Sequence, residues 1–227
     1  MICCVLMCGG KGTRLKKTLG LDVEKPLIKI KNKPLIEYLI DTLIQSNEFY
    51  GIFAAVSNNT KRTREFIKSN YKNKITIIET LGKDYSEDYL KIINYFKEIQ
   101  NEKTHVITKI MFLPIDLPLI SLEMLTQLIT INQVKPCLTI IIEKRFVKDV
   151  GILPSPYEFT VDKKICCYSG ISIIDAKNID MNINNPEKPT LIDEEYKILN
   201  HVEIACNANT LEDLKIAEKF LIDGAAN

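Results

Sequence analysis

Seven apolar residues in a row, Ile2 to Cys8, run straight into Gly9-Gly10. A strand with no polar face must be covered on both sides, which places it inside a sheet packed between helices. The segments that follow extend the pattern. Leu35, Ile36, Leu39, Ile40, Leu43 and Ile44 recur at three- and four-residue spacing after Pro34, which predicts a helix with proline in its first turn. Ile52–Val56 and Ile75–Glu79 read as strands flanking a polar helix that ends near Tyr71, with Ser57-Asn58-Asn59-Thr60 as loop and cap. Asp84 and Glu87 stand at capping-box spacing ahead of Leu90, Ile93 and Phe96. Val106–Leu113 and Cys137–Ile142 are predicted strands on either side of a helix capped by Ser121.

This alternation predicts an α/β fold, a Rossmann-like three-layer arrangement with a mostly parallel sheet. Ligand sites in such folds lie beyond the carboxyl ends of the strands, which singles out the loops 9–26, 57–60, 80–88 and 114–118. Further along, strands are expected at Ile165–Tyr168, Ile171–Ile174 and Val202–Cys206, and a last helix opens at Thr210 with Asp213 at capping-box spacing. No internal repeat, low-complexity tract or Gly/Ser-rich linker interrupts the 227 residues, so one domain over 1–227 is expected.

Charge excludes some functions. Lys and Arg total 30 against 29 acidic residues, so there is no overall cationic field to drive nucleic-acid binding. Residues 1–33 nevertheless hold eight bases and two acids, either a solvated face or a compact anion site. No apolar run reaches the roughly 20 residues of a membrane span. The seven cysteines include the adjacent pairs Cys3-Cys4 and Cys166-Cys167 and no C-x-x-C spacing. They are expected to be small core residues of a cytoplasmic protein.

Gly9-Gly10-Lys11-Gly12-Thr13-Arg14 sits where a buried strand gives way to a turn, so its backbone N–H groups can converge on phosphate oxygens. It is neither a dinucleotide fingerprint, which needs Gly where Leu15 stands, nor a Walker A loop. Without a ligand it would be an ordinary glycine-rich turn. Glu24-Lys25-Pro26-Leu27 adds a lysine whose backbone the following proline holds extended. Arg14 offers a forked donor to phosphates and Lys25 a point charge. Asp116 is the single acid in the apolar stretch Leu113–Pro118. A carboxylate there is costly unless paired or holding a hard cation such as Mg²⁺; the alternative is a turn residue ahead of Ser121. His105 and His201 lack partner motifs and read as structural.

Together, these elements resemble the nucleotidyltransferase superfamily with the glycosyltransferase-A-like fold. Within it the chain is most similar to the archaeal adenosylcobinamide-phosphate guanylyltransferases, through Gly9–Arg14, Glu24-Lys25-Pro26-Leu27-Ile28-Lys29, Ser57-x-Asn59-Thr60, Thr80-x-Gly82-Lys83-x-Tyr85-x-Glu87-Asp88, Gly170-Ile171 and Asn207-x-Asn209-Thr210-x-x-Asp213-Leu214. Molybdenum-cofactor guanylyltransferases are near relatives. Two departures stand out: nine residues, Leu15 to Val23, separate Arg14 from Glu24, longer than the short linker of cobinamide or molybdenum members, and the Leu-Pro-x-Asp-x-Pro form around Asp116 looks more like the molybdenum and other nucleotidyltransferases than the cobinamide ones.

The resemblance implies transfer of GMP from GTP to adenosylcobinamide phosphate, a phosphorylated small-molecule acceptor, with pyrophosphate released and Mg²⁺ as cofactor. It implies Arg14, Lys25 and Asp116 as catalytic residues, with Asp116 on the metal. Gly9, Gly10, Lys11, Gly12 and Thr13 would cradle phosphates, and Ser57, Thr80, Gly82, Glu87 and Gly170 would line the nucleotide site. Where many sugar-nucleotide members carry a second metal Asp this chain has Asn209, which either touches a phosphate or metal-bound water or turns the chain. Neither nucleic acid nor membrane is expected as a partner, and a homodimer is left open. Molybdenum-cofactor or sugar-phosphate nucleotidyl transfer is the enzymatic alternative; a non-catalytic nucleotide-binding regulator is the other.

Overall fold

The computed structural model describes residues 1–13, 15, 23–102, 107–176 and 192–223. In chain order the strands are β1 (Ile2–Met7), β2 (Lys29–Ile30), β3 (Lys33–Pro34), β4 (Gly51–Val56), β5 (Ile75–Glu79), β6 (Lys109–Pro114), β7 (Cys137–Glu143), β8 (Glu158–Val161), β9 (Lys164–Asp175) and β10 (Glu194–Ile198). The helices are α1 (Leu35–Ser46), α2 (Lys61–Tyr71), α3 (Tyr85–Glu102), α4 (Leu122–Thr130), α5 (Lys144–Asp149), α6 (Val202–Ala205) and α7 (Leu211–Asp223).

The main sheet runs β10-β7-β9-β6-β1-β4-β5, with β8 paired to β9. It is parallel except for β9, which lies antiparallel to β6, β7 and β8. As expected for an inner strand, β1 is flanked by β4 and β6 and buries Cys3, Cys4, Val5 and Leu6 completely. The two helix layers are unequal. Leu39 of α1, Ile67 of α2, Leu125 of α4, Val147 of α5, Ile204 of α6 and Ala217 of α7 all join one core, on the face bearing Cys4 and Leu6. On the face bearing Cys3 and Val5, α3 alone among the described helices contributes Ile92, Ile93 and Phe96, the last meeting Phe53 edge to face at 4.8 Å. No described helix is long and apolar enough to cross a membrane.

Three sequence expectations change and one element is new. Val202–Cys206 is not a strand: Ile204 and Ala205 donate to the His201 carbonyl and form the turn α6, because a run this short carries no period that separates helix from strand. Ile165–Tyr168 and Ile171–Ile174 are one strand, β9, whose ladder with β7 is irregular around Gly170 (φ +86°). Pro34 precedes the first turn of α1 as its N-cap instead of lying within it. The hairpin β2–β3 was not expected; Lys31 and Asn32, both left-handed (φ 49° and 66°), close its two-residue turn. Val106 and His105 lie outside the described residues.

Candidate active site

A cleft of about 480 Å³ opens beyond the carboxyl ends of β1 and β6. Of the residues singled out from the sequence it brings together Gly9, Gly10, Lys11, Gly12, Thr13, Lys25, Gly82, Asp116 and Asn209. Arg14 lies outside the described residues.

The glycine loop is held from below. The Gly9 carbonyl accepts from Ser57 Oγ (2.8 Å) and Asn59 Nδ2 (3.3 Å), and the same Nδ2 donates to the Gly82 carbonyl (2.8 Å). Asp88 receives the N–H groups of Leu81 (3.0 Å) and Gly82 (2.9 Å), shaping the facing loop. Only glycine fits at 82: its φ is +65°, and a Cβ there would lie 2.3 Å from Ser57 Oγ. Ser57 and Thr80 support the two loops from beneath. Both are buried, Thr80 donates to the Val56 carbonyl at 3.1 Å, and neither borders the cleft.

Glu87 and Gly170 stand apart from these residues. Glu87 sits exposed in the first turn of α3, its N–H on Asp84 Oδ1, while Lys83, Asp84, Tyr85 and Asp88 border the cleft instead. On a helix, side chains one position apart point about 100° apart, so capping spacing alone does not say which acid turns inward. Gly170 is exposed, and an added Cβ there would be 3.0 Å from Cγ of Pro114, which borders the cleft.

Cations and oxygens converge at the centre. The Lys25 ammonium bonds Asp116 Oδ2 and, at 2.8 Å, Asn209 Oδ1. Asp116 is 14% exposed, and its Oδ1 is buried with no hydrogen-bond partner. The loop carrying Asn209 is fixed by Ala208 N–H on the Asp116 carbonyl (2.9 Å) and by Asp213, whose Oδ2 accepts from Asn209 N (3.1 Å) and Thr210 N (2.8 Å). Among the described residues no three Asp, Glu, His or Cys side chains cluster as a metal site, so a cation here needs oxygens from a ligand as well. All seven cysteines are buried, as expected, and burial pushes the Cys206 thiol up to about 12, too high for a nucleophile.

Glu24 is a functional residue that sequence reasoning left without a role. Its carboxylate takes the N-terminus of α2, accepting from Arg62 N (2.9 Å), Thr63 N (2.7 Å) and Thr63 Oγ1 (2.6 Å). The helix dipole favours a negative charge there, and each bond to a charged group contributes about 1.5–3 kcal/mol. Lys25 is thus carried on a backbone clamped on one side by Glu24 and on the other by Pro26. The sequence carried no signal for it, since Thr60 reads as a cap there and only the structure shows that it makes no side-chain capping bond to α2.

The nucleotidyl transferase family profile matches residues 3–142. An adenosylcobinamide-phosphate guanylyltransferase of Methanocaldococcus jannaschii is 45% identical over 96 residues, 41% of this chain and 46% of that protein. A D-glycero-alpha-D-manno-heptose 1-phosphate guanylyltransferase of Campylobacter jejuni is 31% identical over 67 residues, 30% of this chain and 29% of the other. The chain thus spans less than half the length of these relatives. In fold it is similar to 4-diphosphocytidyl-2C-methyl-D-erythritol synthase from Anaerococcus prevotii, with a TM-score of 0.65 over 98% of both chains at 12% identity. It is also similar to the bifunctional IspDF of Campylobacter jejuni, with a TM-score of 0.60 over 95% of this chain and 53% of that one at 16% identity. With the match spanning β1 to β7 and the glycine loop, Lys25 and Asp116 meeting in one cleft, the chain belongs to the nucleotidyl transferase family.

Proposed function

We propose that this chain transfers GMP from GTP to a phosphorylated acceptor, adenosylcobinamide phosphate, releasing pyrophosphate. The observation that carries this reading is the Lys25 ammonium seated between Asp116 and Asn209, facing a glycine loop with open backbone. The guanylyl specificity and the acceptor are supported by the Methanocaldococcus jannaschii relative.

In the proposed reaction an oxygen of the acceptor phosphate attacks the α-phosphorus in line. A new P–O bond forms, the bond to the bridging oxygen breaks, and that oxygen leaves with pyrophosphate. Gly9, Gly10 and Gly12 present N–H groups to the β- and γ-phosphates, joined by Lys11 and Thr13. Lys25 and Arg14 neutralise the charge that passes to the leaving group, and no protein nucleophile is needed. A divalent ion fits this donor set, since Asp116 offers one oxygen without a partner and another already bound to a cation, with Asn209 adjacent. Bound Mg²⁺ would neutralise triphosphate charge; Asp116 would hold it and Asn209 would face it.

Valine at position 10 tests the cradle. Nothing lies within 4 Å of a Cβ built on Gly10, so the Gly10→Val protein folds while its side chain fills the space a phosphate needs. Calorimetric titration should show triphosphate binding abolished; unchanged affinity in a folded variant places the phosphates elsewhere.

Base choice tests the guanylyl assignment. Guanine presents two donors, N1–H and its amine, where adenine has an unprotonated N1, and an acceptor in the 81–85 loop left unpaired by adenine costs about 1–3 kcal/mol. GTP should therefore bind tenfold or more tighter than ATP or CTP at equal Mg²⁺. Coincident isotherms would sink the guanylyl reading. Pyrophosphate release measured with cobinamide phosphate, molybdopterin and sugar phosphates then identifies the acceptor. The second reading, sugar-phosphate nucleotidyl transfer, rests on the Campylobacter jejuni heptose 1-phosphate enzyme and predicts turnover with a sugar phosphate alone.

A further inference from the structure

Of the eight bases in residues 1–33, Lys11 and Lys25 border the cleft, while Lys29 and Lys31 border a second groove that the phosphate chemistry does not use. This groove, about 470 Å³, lies between the β2 segment and the first two turns of α7. Its floor is apolar, with Leu27, Ile28 and Ile30 on one side and Leu211 and Leu214 on the other. Ile28 and Ile30 belong to the core, whereas Leu27, Leu211 and Leu214 are half-buried and keep part of their surface open. The turn Lys25–Leu27 is the partition: Lys25 and Pro26 border the cleft and Leu27 the groove.

Both walls are held in place without a ligand. The Ile28 carbonyl accepts Leu35 N–H at 2.8 Å and the Ile30 carbonyl accepts the Tyr38 hydroxyl at 2.8 Å, which ties the β2 segment to α1. On the far side Thr210 Oγ1 accepts Asp213 N–H at 3.1 Å, and Asp213 Oδ2 accepts Thr210 N–H at 2.8 Å, a reciprocal cap that starts α7. A preformed apolar concavity of this size suits a small molecule.

The rim decides the sign of charge. Lys29, Lys31 and Lys215 are exposed, and none of them enters an ion pair among the described residues. Glu218 is the one acid on the lining. Three ammonium groups against one carboxylate repel a cation and attract an anion, and the leucines beneath favour an apolar body.

We propose that this groove is a binding site for a small amphipathic anion, with one apolar chain laid along Leu27, Leu211 and Leu214 and a carboxylate or phosphate head among Lys29, Lys31 and Lys215. It stands apart from the guanylyl reading, since the groove and the cleft share no lining residue.

The test is calorimetric titration with decanoate and with decyl phosphate, each below its micelle-forming concentration, and with decyltrimethylammonium as a cation on the same chain. Both anions should bind, the tighter one naming the head, and the cation should bind at least tenfold more weakly. Replacing two rim lysines together, Lys31→Glu with Lys215→Glu, should weaken the anions tenfold or more, while Lys31→Arg with Lys215→Arg should keep them. Leu211→Gln should weaken them through the floor. These exposed or half-buried changes should leave the melting curve and the GTP isotherm as they are in the unsubstituted protein. Absence of anion binding overturns the site, as does equal binding by the cation or by the double Glu variant. Competition between GTP and decanoate would place the anion in the cleft and also overturn it. So would a dimer in sedimentation that Leu211→Gln dissociates, which gives the groove to a second copy of the chain.

Discussion

Asp116→Asn should lower turnover by about 10²–10³-fold, roughly 2.7–4 kcal/mol, the scale found when one transition-state stabiliser is removed. The change keeps the volume of a side chain that is 14% exposed and removes only its charge. Its backbone carbonyl still receives Ala208 N–H, so the loop that carries Asn209 stays in place. The loss should therefore appear in pyrophosphate release, deepest at limiting Mg²⁺, with the circular dichroism spectrum and melting curve of a folded protein. Normal turnover at limiting Mg²⁺ would reduce Asp116 to a turn residue ahead of Ser121.

What could be read from the sequence followed burial. The parallel strands β1, β4, β6 and β7 are nearly continuous apolar runs because helices or neighbouring strands cover them, and the edge strand β5 still shows three isoleucines around one threonine. Strand β10, Glu194-Glu195-Tyr196-Lys197-Ile198, did not stand out, because it is an edge strand with polar residues turned to solvent. Strand β9 was split at Ser169-Gly170, where exposure and the left-handed glycine interrupt the apolar pattern. At the site, residue types were legible and partners were not. Gly9 to Thr13, Lys25, Asp116 and Asn209 each stood out by chemistry on a loop after a strand, and the cleft gathers them. Nothing in the spacing said that Ser57 would bond the Gly9 carbonyl, or that Glu24 would reach across to cap α2. Both are contacts between segments far apart in the chain, set by how the sheet brings loop ends together.

The same limit hid the bridge from Lys25 to Asp116 and Asn209, which makes a second large effect testable with opposite signs in two measurements. Lys25→Met keeps the length of the stem and removes the ammonium. Without it, turnover should fall by about 10²–10³-fold, since the triphosphate loses a neutralising charge on a backbone clamped in place. Metal binding should move the other way. In the free protein the ammonium already satisfies Asp116 Oδ2 and Asn209 Oδ1, so a divalent ion must displace it to reach them. Removing that internal cation leaves the carboxylate buried and unpaired, a costly state that a bound ion relieves. Mn²⁺ titration of the nucleotide-free protein, followed by electron paramagnetic resonance, should show affinity at least about tenfold tighter in Lys25→Met, or ~1.4 kcal/mol. Equal or weaker Mn²⁺ binding would mean that Lys25 and the metal do not share these oxygens. A fall in turnover alone would then be assigned to lost contact with the nucleotide.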